Sequence, residues 1–359
     1  MAIDPDFSNA LVFTGGGTGG HYFPAVALAQ GARLRWSSLP IVFVGAIRGI
    51  EAAKLPTSEW PFLLVEVEGF LGRSPLRALK SFRLLWRAVA QLKSRWRHQR
   101  PQAVIATGGY AAAPALFAAR ALGIPYFLHE SNAKPGWLIR LLAPGAQRVW
   151  CGMAAAQGRL TRAKCKTVGT PIRETFLRDF RAVSALELPL RLLVLGGSGG
   201  ARALNEALLV LAPALLERFP EWEILHQTGT KDFEALADRQ RHARHHLVPF
   251  LEAMDEAMEQ ASLVVSRSGA STCAELKACG RPALLVPFPA SAGDHQRLNA
   301  LAMQAEGQAV VVEQGGEFSE RLAAALVRLM EVPTRRQQLA KPERNQAVAL
   351  CLGDLAPRI

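Results

Sequence analysis

The stretch ALVFTGGGTGGHYFPAVALA, residues 10–29, decides the fold because it joins three kinds of segment in a fixed order. Its first five residues suit a buried strand, a loop of five glycines and one threonine follows, and the rest has the spacing of a helix. The stretch LRLLVLGGSGGARALNEALLVLAPAL, residues 190–215, repeats this order. The sequence therefore predicts two α/β domains in tandem, each beginning with the same unit.

Short apolar runs follow both units and alternate with segments of helical spacing, as in doubly wound parallel sheets. The predicted strands are 10–14, 40–45, 62–69, 103–108, 124–129 and 148–151, then 190–195, 222–229, 246–250, 262–266, 282–288 and 309–313. The stretch VGTPIRET, in which Gly169 and Pro171 interrupt the regular pattern, is the expected linker. We expect a first domain over residues 1–168 and a second over residues 169–341.

Composition and charge narrow the class of protein. The chain has 359 residues, half of them hydrophobic, and a formal net charge of +12, which favours polyanionic partners such as nucleic acid, anionic membranes or phosphorylated substrates. Asp4 and Asp6 lie where a secretory signal would be basic, and no apolar run approaches the ~20 residues of a membrane span. The five cysteines lack metal-ligand spacing, so free thiols in the cytosol are expected.

The glycine loops are candidate anion sites, because a loop that precedes a helix can bring backbone N–H groups and the positive helix end close to a ligand. Gly15, Gly17 and Gly20 satisfy the GxGxxG pattern. A dinucleotide site would also need an acid at the end of the second strand, which reads FVGAIRG and has none. A tight turn without a ligand stays an alternative for one loop. Pro24 suits an early helical turn.

Seven short stretches in a fixed order together resemble the MurG family of bacterial glycosyltransferases, which form lipid II. The resemblance covers residues from about 10 to 350. The stretches are GGGTGGHYFPAVALA from residue 15, TGGYAAAPALFAA (107–119), LHESNAKPG (128–136), VGTPIRE (168–174), LGGSGGARALN (195–205), SRSGASTCAEL (266–276) and PALLVPFP with DHQRLNA (282–300).

The resemblance implies a GT-B fold, in which two Rossmann-like domains face each other across a cleft. It implies inverting transfer of GlcNAc from UDP-GlcNAc to the 4-hydroxyl of MurNAc in undecaprenyl-pyrophosphoryl-MurNAc-pentapeptide, which converts lipid I to lipid II. It also implies a C-terminal helix, residues 342–359, that packs back on the first domain. No paired acidic motif is placed to hold Mg²⁺, so we expect no obligatory metal and no cofactor.

The resemblance assigns the donor, UDP-GlcNAc, chiefly to the second domain. Cations, hydroxyls and backbone N–H groups would face the diphosphate, with Ser198 on the diphosphate or uridine side; a carboxylate would bind the ribose, a backbone segment the uracil and amides the sugar. In that order these residues are Arg173, Ser198, Arg267, Ala270, Ser271, Thr272, Cys273 and Ala274; Glu275; Leu251; and Gln296 with Asn299. Glu275 as a dipole-favoured helix acid and Arg267 as a structural ion pair stay open alternatives.

The resemblance assigns the acceptor to the first domain. His21 is the candidate general base, with Thr18 beside it among the reacting groups, and a structural His21 that caps the helix or packs beneath the loop is the alternative. The other candidates line the same loops. They are Gly17, Gly19 and Gly20, Asn132 near the transferred sugar, and Tyr110 and Glu130 on the acceptor side.

Three positions depart from the pattern usual in the family. Ser131 replaces an amide in HESN, Ile139 replaces an asparagine, and Gly199 replaces a glutamine in the second loop. These departures concern details of ligand contact rather than the reaction. Outside the motifs, His226, His242, His245 and His246 are expected to be surface or packing residues.

The basic stretch 72–100 contains nine Lys or Arg residues and no acid. An apolar stripe with helical spacing runs through it, so we expect a helix that packs on the sheet with a solvated basic face. The stripe consists of Leu79, Phe82, Trp86, Val89, Leu92 and Trp96. Because the acceptor is lipid-linked, we also expect contact with an anionic membrane at the cytoplasmic face of the inner membrane. Nucleic acid is not an expected partner, whereas cell-wall synthesis and division proteins are.

Two kinds of rival stay open. One is another GT-B enzyme, either a glycolipid synthase with a diacylglycerol acceptor or a UDP-GlcNAc 2-epimerase. The other is a nucleotide-sugar sensor without catalysis. The donor motifs suit all of them, whereas GGGTGGH, TGGY and HESN favour the lipid II-forming transferase.

Overall fold

The computed structural model describes residues 4–69, 75–183, 188–196 and 200–356, and the chain forms two compact units. The first unit comprises Met1–Arg173 and Asn345–Ile359, and the second comprises Glu174–Arg344. The chain therefore passes between the units a few residues later than the 168/169 and 341/342 boundaries that the sequence suggests.

The first unit is built on a parallel sheet with the strand order β3-β2-β1-β4-β5-β6-β7. The strands are β1 (Leu11–Thr14), β2 (Ile41–Ala46), β3 (Phe62–Val65), β4 (Ala103–Ala106), β5 (Tyr126–Glu130), β6 (Arg148–Cys151) and β7 (Cys165–Thr167). The helices are α1 (Gly19–Arg35), α2 (Ile50–Lys54), α3 (Pro75–His98), α4 (Ala113–Leu122), α5 (Trp137–Leu142), α6 (Ala154–Gln157) and, from the C-terminus, α14 (Ala347–Leu355). The order confirms a doubly wound sheet, in which helices cover both faces.

The central strand β1 alternates between two cores. Val12 joins the layer formed with α3 and α4, whereas Leu11 and Phe13 join the layer that contains residues of α1 and α14. Leu11 pairs with Ile41 on one side and with Ala103 on the other. The loop after β1 therefore emerges where the chain order of the sheet reverses, the usual ligand position in such folds.

The second unit repeats the plan with the strand order β10-β9-β8-β11-β12-β13. The strands are β8 (Leu190–Leu195), β9 (Trp222–Gln227), β10 (His245–Val248), β11 (Leu263–Ser266), β12 (Ala283–Leu285) and β13 (Ala309–Val311). The helices are α7 (Arg202–Arg218), α8 (Phe233–Ala237), α9 (Met254–Glu259), α10 (Ala270–Cys279), α11 (His295–Ala305), α12 (Phe318–Glu331) and α13 (Pro333–Leu339). The second glycine loop follows the central strand β8, as the first follows β1.

Two expectations about helix positions are wrong. Pro24 is not at the start of α1, which begins at Gly19, so Pro24 lies inside the helix and cannot donate an N–H to the carbonyl of Gly20. The C-terminal helix begins at Ala347 rather than at 342, because the Asn345 side chain accepts the N–H of Ala347 at 3.1 Å and donates to the Thr170 carbonyl at 2.9 Å.

The apolar stripe of α3 is divided between core and surface, although the sequence suggests that all of it packs on the sheet. Val89, Leu92 and Trp96 are buried. By contrast, the exposed fractions of Leu79, Phe82 and Trp86 are 60%, 51% and 46%. The start of the stretch, residues 72–74, lies outside the described residues. Among the helices of the described chain, none is both long and apolar enough to cross a lipid bilayer.

Candidate functional site

The first glycine loop places the first turn of α1 at the carboxyl edge of the sheet. Thr18 is the N-cap residue, with extended backbone, and both Thr18 and Gly20 are exposed. Within the described chain, the Thr18 hydroxyl makes no capping bond to α1. The first-turn N–H groups and the positive helix end can therefore interact with an anion.

His21 is held in a defined orientation by the loop after β4. Its Nδ1 lies 2.9 Å from the Thr107 carbonyl oxygen, which can only accept a hydrogen bond, so Nδ1 carries the proton of the neutral ring. The Thr107 hydroxyl donates to the His21 carbonyl at 2.6 Å. Gly108 permits this approach, since a Cβ there would lie 3.0 Å from Nδ1. The arrangement leaves Nε2 as the basic nitrogen.

Tyr110 packs against the same loop. Its hydroxyl donates to the Arg48 carbonyl at 2.9 Å, and its ring occupies the space beside Gly17, where a Cβ would lie 2.6 Å from a ring carbon. Gly17 has a φ of +85°, which only glycine adopts without strain. Tyr110 thus shapes the first glycine loop.

A carboxylate that the sequence does not single out supports this loop. Glu51, in the first turn of α2, has an exposed fraction of 1% and accepts the Gly17 N–H with both oxygens, at 3.1 and 2.8 Å. Glu51 lies two residues after the end of the stretch FVGAIRG, with Ile50 between them, and belongs to none of the motifs. Its position in the first turn of a short helix, two residues after Gly49, is the only signal in the sequence.

Glu130 organises the HESN loop rather than facing solvent. It is 3% exposed and accepts hydrogen bonds from the Asn132 backbone and side chain, at 2.9 and 3.1 Å, and from the Gly136 N–H at 2.8 Å. Ser131, one of the departures from the family pattern, lies 3.2 Å from Nδ1 of His129. Of the two predicted residues, Asn132 is half-buried, whereas Glu130 is almost completely buried.

Arg173 closes the first unit, although the sequence assigns it to the domain that binds the donor. Its guanidinium lies 5.8 Å from the centre of the Phe23 ring on α1. The side chain is half-buried. Arg173 therefore contributes a cation beside the helix that follows the first glycine loop.

The second glycine loop is described only in part, because Ser198 and Gly199 lie outside the described residues. Gly200 has a φ of +77° and is followed by α7. Asn205, in the first turns of α7, is buried and donates to the Thr228 carbonyl at 2.8 Å and to Asp232 at 3.1 Å. These bonds join the start of α7 to the loop after β9.

His226 and His245 are packing residues, which is one of the two roles that the sequence suggests for them. Their rings stack with centres 5.5 Å apart, and Nε2 of His226 lies 3.1 Å from the Asn205 amide oxygen. Burial lowers the pKa of His226 to about 3 and that of His245 to about 4. Both rings are therefore neutral near pH 7. His246 is exposed, whereas His242 is half-buried.

The first turn of α10 presents several predicted residues of the donor site. Gly269 is the N-cap residue; Ser271, Thr272 and Ala274 are half-buried. The Ser271 hydroxyl is buried and has no hydrogen-bond partner among the described residues. An unsatisfied hydroxyl at a helix start fits a phosphate ligand.

Three other residues of α10 are largely buried: Ala270, Cys273 and Glu275. Burial raises the pKa of the Cys273 thiol to about 12, so its side chain stays neutral, and its N–H donates to Gly269 within the helix. Glu275 keeps an exposed fraction of 7%. A ligand would therefore meet the backbone of this turn more readily than the side chains of Ala270 and Cys273.

Arg267 is a cation held by neutral groups. Its guanidinium donates to the carbonyls of Val286 and Pro287, at 3.0 and 3.2 Å, and to the amide oxygen of Gln314 at 2.6 Å. Burial lowers its pKa to about 10, so it remains protonated near pH 7. In the part of the chain that the structure describes, no carboxylate forms an ion pair with Arg267. Its charge is thus available to an anion.

The remaining donor candidates differ in exposure. The N–H of Leu251 points to the Gln227 amide oxygen at 3.3 Å, and Gln296 accepts the Phe288 N–H at 3.0 Å while remaining half-buried. Asn299, expected beside the sugar, is fully buried and donates to the Ser268 carbonyl at 3.1 Å. This geometry gives Asn299 a role in holding the loop after β11.

Each unit therefore carries a distinct chemical capacity. The first combines a helix start with an oriented imidazole, which suits an anionic acceptor whose hydroxyl must lose a proton. The second combines a helix start with a cation, which suits a diphosphate that departs with added charge. Among the described residues, no group of three or more His, Cys, Asp or Glu side chains is arranged to hold a metal ion.

Comparison with protein families gives two matches in chain order. Residues 11–151 match the glycosyltransferase family 28 N-terminal domain, and residues 191–351 match the glycosyltransferase family 28 C-terminal domain. The two matches include both glycine loops and the first turn of α10.

Curated relatives share one printed name, UDP-N-acetylglucosamine--N-acetylmuramyl-(pentapeptide) pyrophosphoryl-undecaprenol N-acetylglucosamine transferase. The protein of that name from Syntrophotalea carbinolica is 41% identical over 326 residues, which cover 89% of this chain and 90% of that protein. The one from Citrifermentans bemidjiense is 36% identical over 352 residues, which cover 97% of both chains.

Solved structures give the same answer for the fold. MurG from Acinetobacter baumannii superposes with a TM-score of 0.73 and 28% identity over 96% of this chain and 99% of that chain. A putative UDP-N-acetylglucosamine 2-epimerase from Listeria monocytogenes has a TM-score of 0.68 and 13% identity, and the match covers 97% of this chain and 96% of that chain. At this identity the match shows similarity of fold alone.

Proposed function

The chain belongs to glycosyltransferase family 28, and we propose that it transfers GlcNAc from UDP-GlcNAc to the 4-hydroxyl of MurNAc in undecaprenyl-pyrophosphoryl-MurNAc-pentapeptide. Relatives at 36% and 41% identity carry the name of this transferase over nearly their whole length. The product is lipid II, a precursor of peptidoglycan. The new bond is β, so the configuration at C1 of the sugar inverts.

The orientation of His21 is the observation that carries the mechanism. Because Nδ1 donates to the Thr107 carbonyl, Nε2 has a lone pair for the proton of the acceptor hydroxyl. The hydroxyl oxygen attacks C1 of GlcNAc as its proton passes to Nε2. The bond from C1 to the diphosphate oxygen breaks, and its electron pair stays on UDP.

The departing UDP gains negative charge, which the second unit is suited to stabilise. Arg267 supplies a cation that no described carboxylate neutralises, and the first turn of α10 supplies N–H groups and the Ser271 hydroxyl. Glu275 is the proposed ribose ligand, and the backbone of Leu251 is the proposed uracil contact. Gln296 is the proposed contact with the sugar.

The first unit is the proposed acceptor side. The N-cap residue Thr18 and the first helical residues, Gly19 and Gly20, are the proposed N–H donors to the acceptor pyrophosphate, whereas the His21 N–H already donates to the Thr18 carbonyl at 3.2 Å. Asn132 is the proposed contact with the transferred sugar. Arg173 adds positive charge beside α1, where an anionic substrate gains from it.

The exposed half of α3 supports attachment to the membrane that carries the acceptor. Leu79, Phe82 and Trp86 are apolar and exposed, and Lys80 and Arg83 lie among them on the surface. Apolar side chains can enter the boundary between headgroups and acyl chains of a membrane, while cations contact anionic lipid headgroups. We place the enzyme at the cytoplasmic face of the inner membrane, where cell-wall synthesis and division proteins are its proposed partners.

The test is release of UDP from UDP-GlcNAc with and without a short-chain lipid I analogue, together with mass analysis of the lipid. Release that depends on the acceptor, with one HexNAc added to the lipid, is the expected result. A changed sugar without acceptor would indicate an epimerase. Tight binding of UDP-GlcNAc without turnover, also with a diacylglycerol acceptor, would indicate a sensor and overturn the proposal.

A further inference from the structure

Glu51 is the most completely enclosed acid near the first glycine loop. Its exposed fraction is 1%, and each of its hydrogen bonds comes from a backbone N–H. Gly17 donates to both oxygens, at 3.1 and 2.8 Å, and Ala46 donates to Oε1 at 3.3 Å. The carboxylate thus joins the loop after β1 to the end of β2.

Glycines in the loop after β1, on β2 and before α2 make room for this side chain. A Cβ on Gly16 would lie 2.4 Å from the Glu51 carboxylate, and a Cβ on Gly45 would lie 2.8 Å from its Cγ. Gly49 is also close, since a Cβ there would lie 2.9 Å from Oε2. The absence of side chains at these glycines therefore accommodates an internal group, and not only a ligand.

The occupied N–H of Gly17 changes how the loop can bind an anion. The sequence suggests that the glycine backbone itself approaches the acceptor phosphate, but the Gly17 N–H is already directed to Glu51. The donors that remain lie further along, in the first turn of α1. Glu51 fixes the backbone at Gly17. The position of Gly17 then sets the position of the N-cap residue Thr18 and the direction in which the His21 side chain extends from α1.

We propose that Glu51 is a positioning residue for the transfer reaction, which holds the first glycine loop so that the first turn of α1 and His21 are set for the acceptor. The expected effect on the rate of transfer rests on the proposed function. The hydrogen bonds by which Glu51 holds the loop do not depend on that function. Charge-assisted hydrogen bonds are shorter and stronger than neutral ones, so a carboxylate suits this role better than an amide.

The main test is Glu51→Gln, which keeps the size and removes the charge. We expect kcat to fall by about tenfold or more, since small misplacements of reacting groups are costly, while KM for UDP-GlcNAc stays within about twofold. Hydrogen exchange of the amides in residues 15–20 should accelerate, whereas exchange in residues 190–195 stays unchanged. A merely structural role would alter stability without this split between kcat and the donor KM.

Two further variants complete the test. Glu223→Gln is the matched control, because Glu223 is a partly buried acid of the second unit that accepts a bond from Arg191 at 2.6 Å; its kcat should be unchanged. If Glu51→Gln does not fold, Gly45→Ala serves instead, since its Cβ displaces the Glu51 side chain and leaves the loop sequence intact. The same fall in kcat is expected.

Undiminished kcat in folded Glu51→Gln or Gly45→Ala, or unchanged exchange in residues 15–20, would overturn the inference. Failure of the proposed function has a different signature, because the unmodified protein would then release no UDP in the presence of the lipid I analogue. In that case the exchange of residues 15–20 still decides whether Glu51 holds the loop.

Discussion

His21 and Thr107 are hydrogen-bonded to each other in both directions. Nδ1 of His21 donates to the Thr107 carbonyl at 2.9 Å, and the Thr107 hydroxyl donates to the His21 carbonyl at 2.6 Å. The two bonds fix both the tautomer of the ring and its backbone. A histidine that only packed against a loop would need neither, so the pair favours a role for Nε2 in chemistry.

Replacement of this base should slow the chemical step. His21→Gln is expected to lower kcat by about 10²–10⁴-fold with little change in KM for UDP-GlcNAc, because proton transfer is lost while the donor unit is untouched. Steady-state UDP release measures both constants. His98→Gln is the control, since His98 is exposed at the end of α3. A rate equal to that of the unmodified protein would remove His21 as the base.

Arg267 should contribute chiefly to the donor. Arg267→Ala is expected to raise KM for UDP-GlcNAc or lower kcat/KM by about 10- to 100-fold, the effect of losing a hydrogen bond to a charged group. Arg267→Lys should recover part of the loss, because it keeps the charge. Arg218→Ala, at an exposed arginine paired with Glu331, is the matched control. Unchanged donor kinetics in Arg267→Ala would assign this side chain to the support of the loop at Val286.

The exposed apolar part of α3 should govern binding to membranes. The triple variant Leu79→Ser, Phe82→Ser and Trp86→Ser is expected to reduce partition onto vesicles of anionic phospholipid by at least about tenfold, because each buried side chain is worth about 1.5–3 kcal/mol. Vesicle sedimentation measures this. Leu34→Ser removes a leucine of α1 that is even more exposed, at 78%, and should have no effect. Equal partition of the triple variant would refute this surface as the membrane contact.

Most of the fold could be predicted because strands buried on both faces are almost continuously apolar. All predicted strands are present, with somewhat different ends. Strand β7, Cys165–Thr167, was missed because it is short, polar and at the edge of the sheet. Pro24 was misplaced because tertiary packing of α1 outweighs the cost of a proline inside a helix.

The site could be predicted only where chemistry is concentrated in motifs. His21 and Arg267 were found in this way, but their partners, the Thr107 carbonyl and the carbonyls of Val286 and Pro287, are backbone atoms that no residue type reveals. Glu51 was missed for a related reason. Its role depends on the N–H of Gly17, which lies 34 positions earlier in the chain.

Stability should fall in mild acid because of the buried histidines. Burial lowers the pKa of His226 to about 3 and those of His129 and His245 to about 4, whereas unfolded histidine has a pKa of ~6.5. Between these values the unfolded chain binds more protons, so the free energy of unfolding decreases as pH falls from ~6.5 toward 4. Each such residue contributes a slope of about 1.4 kcal/mol per pH unit.

Urea unfolding at pH 7 and pH 5, followed by circular dichroism, measures this slope. His245→Gln should make the dependence shallower, because one group that must stay neutral in the folded state is removed. His98→Gln, at an exposed position, should leave it unchanged. The same slope in His245→Gln and the unmodified protein would contradict the assignment.

The close fit of Gly16 and Gly45 around Glu51 should constrain how these positions change in evolution. A methyl group at either glycine would meet Glu51 atoms at 2.4 or 2.8 Å, so alanine at either position would displace the Glu51 side chain from the first glycine loop. Natural variants of this chain should therefore replace Gly45 only in combination with Glu51. Positions 45 and 51 should therefore change together among related chains, because both surround or form the same buried side chain, and position 16 should follow them although it lies about 30 residues earlier in the sequence.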